Sequence, residues 1–73
     1  MFIGKIKEVI VRERDIIINY ISNEFPNSSG CSIIIQKDEL LGFPFVGQPI
    51  QVETDNTNTV TRVIVNNKII LQR

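Results

Sequence analysis

Fourteen Ile and seven Val dominate the apolar positions of this chain, against three Leu and no Ala. Side chains branched at Cβ lose rotamer freedom in a helix and pack well on a pleated surface. The missing Ala removes the strongest helix former. The chain is therefore expected to be all-β. A surplus of Ile and Asn without Ala also fits AT-rich coding, as in many phages and low-GC bacteria, which partly discounts the strand argument. Seventy-three residues allow one small domain spanning 1–73. A domain of this size buries only about 60% of its unfolded surface, so its core is marginal.

Six runs read as strands. Residues 2–12 form a long first one whose alternation slips once, and a bulge near Lys7-Glu8 restores a single buried face. Residues 16–21 (IIINYI) follow a charged turn and complete a hairpin. Residues 22–30 are turn chemistry throughout and are expected to be mobile. Residues 31–36 (CSIIIQ) put Cys31, Ile33 and Ile35 on one face, with Cys31 read as a small buried hydrophobe. Residues 37–42 fit one short helical turn stopped by Gly42. Residues 50–55, 60–65 and 68–73 complete the set, and Asn66-Asn67 suits a two-residue hairpin turn. Five or six short strands in so small a domain are expected to close on themselves as a barrel, OB-type or SH3-like.

In strand pattern the whole chain resembles small OB-type and SH3-like barrels. The segments SIIIQKDELL, GQPIQVE and NKIIL also resemble the swapped-hairpin DNA-binding regulators of the AbrB type, although residues 60–65 intervene as an extra strand. Likeness of fold does not transfer function, and none is carried over.

The inventory argues against catalysis. There is no His, so no Ser-His or Cys-His pair and no imidazole base. Glu53 and Asp55 share a strand face, the spacing of a carboxylate pair, but acidic residues on such a face normally sit in water. Zinc would require the Cys and His clusters that are missing, and neither Asp38-Glu39 nor Glu53-x-Asp55 resembles a calcium loop. No glycine-rich phosphate loop occurs. No cofactor and no metal are expected. The Asn27-Ser28-Ser29 glycosylation pattern is read as a chance match, because no signal peptide is seen. One cysteine, no leader and no long apolar run lead to the expectation of a soluble cytoplasmic protein without a membrane partner.

The net charge of zero conceals an uneven distribution. Residues 1–14 balance to +2, residues 15–55 to −5 and residues 56–73 to +3. If the terminal strands lie side by side, Lys5, Lys7, Arg12, Arg14, Arg62 and Lys68 form a basic face able to follow a phosphate backbone, with Tyr20 or a Phe as stacking platform. Phe43-Pro44-Phe45 is the other candidate. The favoured expectation is that the two rings plug the barrel mouth, because a marginal core needs its aromatics; the alternative is that they anchor a protein partner. Ile17 and Ile34 fall opposite the core faces of their strands, where a second copy of the chain would cover them. The leading expectation is a non-enzymatic protein-interaction module, of the accessory-subunit or phage- or mobile-element-encoded inhibitor kind. The alternative is a nucleic-acid-binding barrel.

Overall fold

A computed structural model describes residues 2–24 and 30–73. The centre of the polar loop expected to be mobile, with Asn27-Ser28-Ser29, lies outside the described residues. Six strands form one antiparallel sheet: β1 (Phe2–Val11), β2 (Asp15–Ser22), β3 (Cys31–Gln36), β4 (Pro49–Thr54), β5 (Val60–Val65) and β6 (Lys68–Gln72). Their order across the sheet is β3-β2-β1-β4-β5-β6. A 3₁₀ turn at Lys37–Glu39 is the one helical element among the described residues, within the segment where a helical turn is expected.

Alternation builds the core. Ile16, Ile18 and Tyr20 of β2 point inward and meet Ile33 and Ile35 of β3, Ile6 of β1, Ile50 and Val52 of β4, Val63 and Val65 of β5, and Ile70 and Leu71 of β6. All lie on one face, so the sheet must curve to enclose them. Three bulges supply the curvature. Lys7 is the extra residue between Ile6 and Glu8, at the expected place. Thr61 is the extra residue opposite Glu53-Thr54. Ile70 is the extra residue opposite Val63-Ile64, which is why the consecutive Ile70 and Leu71 are both buried.

The expected closure by strand pairing is not made. The sheet is open, with β3 and β6 as its two edges. The chain leaves β3 through the 3₁₀ turn and meets β6 at two points. The Leu41 N–H donates to the Ile70 carbonyl at 2.8 Å, and Arg73 bonds Glu39 at 3.1 Å. Leu41 thus covers the β6 edge at Ile70.

The terminal strands are also not neighbours. β1 lies in the middle of the sheet and β6 at one edge, with β4 and β5 between them. A long first strand with a mid-strand bulge can pair on both sides, and β1 does so with β2 and β4. The segments that carry the likeness to swapped-hairpin regulators fall on β3, β4 and β6, which are not adjacent.

Asn66 and Asn67, with φ of 52° and 67°, form the expected tight turn between β5 and β6. Among the described residues no helix is long and apolar enough to cross a membrane.

A candidate protein-contact surface

The segment from Leu40 to Gln48 joins the 3₁₀ turn to β4 and is pinned along its length. Leu40 packs against the core. The Leu41 N–H holds Ile70. Pro44 is fully buried. The Gly47 N–H donates to the Ile6 carbonyl at 2.9 Å, and the Ile6 N–H donates to the Gln48 carbonyl at 3.0 Å. The Gln48 Oε1 accepts the Phe45 N–H at 2.8 Å.

On this frame four large apolar side chains face outward. Leu41 is 68% exposed, Phe43 46%, Phe45 60% and Val46 64%. The two rings lie with centroids 5.6 Å apart and planes tilted by 58°, an arrangement favoured by aromatic quadrupoles. The expected plug is therefore not formed. Pro44 takes the buried position between the two rings, and both rings are turned out. The core is filled by Ile and Val from the strands. Leu41 and Val46 were not among the expected contact residues. The sequence signal was present in LLGFPFVG, an apolar run in a segment too rich in Gly and Pro for a strand.

Ile17 and Ile34 do lie outside the core. Ile10 of β1 pairs with Ile17, and Ile17 with Ile34, so the three form one row across the outer face. Ile17 is half-buried between its neighbours, and Ile34 is 51% exposed. Beside this row runs a polar one. The Asn19 Nδ2 donates to Glu8 Oε1 at 2.8 Å, and the Ser32 Oγ donates to Asn19 Oδ1 at 2.5 Å.

The six candidate phosphate-binding residues are divided. Arg12 forms two hydrogen bonds to Asp15, at 2.6 and 2.7 Å. Arg62 forms two to Glu53 across the β4–β5 pairing, at 2.8 and 2.7 Å. These bonds raise the pKa of each guanidinium and lower that of its carboxylate partner. Lys5 faces outward on β1, Lys7 sits at the bulge, Arg14 lies in the β1–β2 turn and Lys68 begins β6. Arg14 shares an open depression with Gln36, Lys37 and Asp38.

Tyr20 is no stacking platform, because it is buried against the core. Burial pushes its phenol up to about 12, with the Cys31 thiol beside it adding to the shift. Cys31 itself is exposed, contrary to expectation. It opens an edge strand, opposite Tyr20 at the end of the β2–β3 pairing.

Glu53 and Asp55 do not act as a pair. Glu53 belongs to Arg62. The Asp55 Oδ1 accepts the Thr57 hydroxyl at 2.6 Å and the N–H groups of Thr57 and Thr59 at 2.8 and 3.1 Å, which lowers its pKa. Among the described residues no cluster of His, Cys, Asp and Glu could hold a metal ion. The depression lined by Ile3, Pro49, Ile64 and Asn66 holds about 80 Å³, and the open one beside Arg14 holds about 380 Å³. The chain matches no protein-family model, no curated protein and no solved structure.

Proposed function

We propose that the chain is a non-enzymatic protein-interaction module, an accessory subunit or an inhibitor, whose contact surface is the segment bearing Leu41, Phe43, Phe45 and Val46. One observation carries the reading: a chain with a marginal core leaves two aromatics and two aliphatics outside it, on a backbone fixed at both ends and at Pro44. Contiguous exposed apolar side chains mark contact sites. Aromatic anchors on a preorganised frame lose little conformational entropy when covered.

The sheet is further read as an OB- or SH3-like wrap left open at one seam. The three bulges and the Leu41–Ile70 bond favour that reading. The bidentate ion pairs of Arg12 and Arg62 weigh against a phosphate-binding face, since both cations already have carboxylate partners.

The test is affinity capture from the source cell with and without nuclease, comparing the wild-type chain with F43S/F45S. A stoichiometric protein bound by the first and lost from the second is the expected result. A partner held equally by both, or released by nuclease, overturns the reading.

A further inference from the structure

The two edges of the sheet are not alike. The edge of β6 is covered at Ile70 by Leu41 and is flanked by the Arg73–Glu39 pair. The edge of β3, residues Cys31–Gln36, carries no proline and no charge, and its pairing with β2 runs without a bulge. These are the devices that ordinarily keep an edge from pairing with another chain.

The hydrogen-bond parity of β3 follows from its surroundings. The Lys37 N–H donates to the Arg14 carbonyl at 2.9 Å, which continues the β2–β3 register by one residue. Bonded pairs alternate along an antiparallel ladder. Cys31, Ile33 and Ile35 therefore bond to β2, and Ser32, Ile34 and Gln36 turn their backbone groups to the free side. On β2, the bonds from the Arg12 N–H to the Asp15 carbonyl and from the Asn23 N–H to the Ile3 carbonyl fix the same parity.

The free edge is symmetric about Ile34. Its sequence, Ser32-Ile33-Ile34-Ile35-Gln36, has the same polar and apolar order in both directions. We infer that β3 pairs antiparallel with β3 of a second copy, about a two-fold axis through Ile34, joining two sheets into one of twelve strands. In this register the Ile34 N–H meets the Ile34 carbonyl of the second copy, and the Gln36 N–H meets the Ser32 carbonyl, each reciprocally. Ile33 lies opposite Ile35 of the second copy on the core face. On the outer face the Ile10–Ile17–Ile34 row runs directly into its counterpart. A slip by two residues sets Ser32 against Ile34 and leaves Gln36 without a strand partner. The polar and apolar pattern therefore selects the register as well as the edge.

This dimer uses a surface other than the Phe43–Phe45 segment and stands whether or not that segment binds a partner. The experiment is sedimentation equilibrium of the purified chain across the micromolar range, with circular dichroism to establish folding. The wild type is expected at twice 8.3 kDa. I34K, which sets two cations opposite each other at the axis, is expected at the monomer mass with an unchanged spectrum. S32K/Q36K, which opposes cations at both flanking pairs, is expected to be monomeric. S32K/Q36E, which opposes unlike charges only in the proposed register, is expected to be dimeric. A wild-type monomer throughout, or a dimer indifferent to both I34K and S32K/Q36K, overturns the inference. A folded S32K/Q36E that is monomeric overturns the register. None of these results bears on capture through Phe43 and Phe45.

Discussion

Gly4 of β1 lies against the Ile21 carbonyl of β2 so closely that a β-carbon built on it collides with that oxygen and with the adjoining carbonyl carbon. The obstacle is backbone, which no rotamer change relieves. Gly4 lies where β1 pairs on both sides, with Ser22 of β2 and with Ile50 of β4. G4A is therefore expected to destabilise the fold by about 1–3 kcal/mol, the range for overpacking a tight site. Urea unfolding checks this, with the loss appearing as a lower midpoint at unchanged slope.

The buried phenol of Tyr20 makes stability depend on alkaline pH. Its pKa is raised to about 12 by burial and by Cys31, against roughly 10 in an unfolded chain. A raised pKa means that the folded state holds the proton more tightly. The contribution is complete below about pH 10 and is lost as the pH rises through the folded value. Tyr20 is the one tyrosine and there is no tryptophan, so phenolate absorbance reports this residue alone. Ionisation is expected near pH 12 and together with unfolding. C31A is expected to shift the ionisation downward. A midpoint near 10 with the far-ultraviolet spectrum intact would contradict the burial of the ring.

Carboxylates govern the acid side. Hydrogen bonds from Arg12, Arg62 and the Thr57 hydroxyl are the largest causes holding Asp15, Glu53 and Asp55, respectively, below their ordinary pKa. A depressed pKa contributes stability above the unfolded value of about 4, and that stability is lost as the pH falls through the folded value. R62M removes the main cause at Glu53. The variant is expected to be less stable than the wild type at neutral pH and to converge with it in strong acid. A gap that persists at pH 2 would assign the loss to packing by the Arg62 stem instead of to the ion pair.

What the sequence could reveal divides along local and non-local lines. The alternation in IIINYI is enough to turn Ile16, Ile18 and Tyr20 inward and Ile17 outward, because a strand has a period of two wherever it pairs. The slip after Ile6 marks the bulge at Lys7 for the same reason. Asn66-Asn67 identifies its own turn through tolerance of positive φ. The central place of β1 depends on pairing with β4, more than forty residues away, and no local pattern encodes it. The Glu53–Arg62 bond needs the β4–β5 register, which the bulge at Thr61 shifts. The outward rings of Phe43 and Phe45 depend on Pro44 taking the buried position. Cys31 shares the parity of Ile33 and Ile35, yet it is exposed because it lies at the end of an edge strand.

The Asn66-Asn67 turn can be improved. Both residues hold positive φ, a conformation that costs a residue with a β-carbon roughly 1 kcal/mol or more. Glycine at the second position of such a turn removes that strain. N67G is expected to raise the thermal midpoint by a few degrees, and N67A to lower it. Equal midpoints for the two variants would show that the left-handed conformation is not under strain there.

The exposure of Phe43 and Phe45 separates two roles that an aromatic pair can play in a small domain. A ring in the core typically costs 3–5 kcal/mol on truncation, enough to unfold a chain of this size. A ring outside the core costs within about 0.5 kcal/mol. F43S/F45S is therefore expected to leave the urea midpoint nearly unchanged. I18A, which empties a site with no solvent exposure, is expected to lose about 2–5 kcal/mol and to be largely unfolded. The two variants measured side by side calibrate each other. If F43S/F45S unfolds as I18A does, the rings support the fold and the contact surface proposed for them is wrong. If it remains folded, the surface is free to be tested by capture, and any loss of a bound protein belongs to the rings themselves.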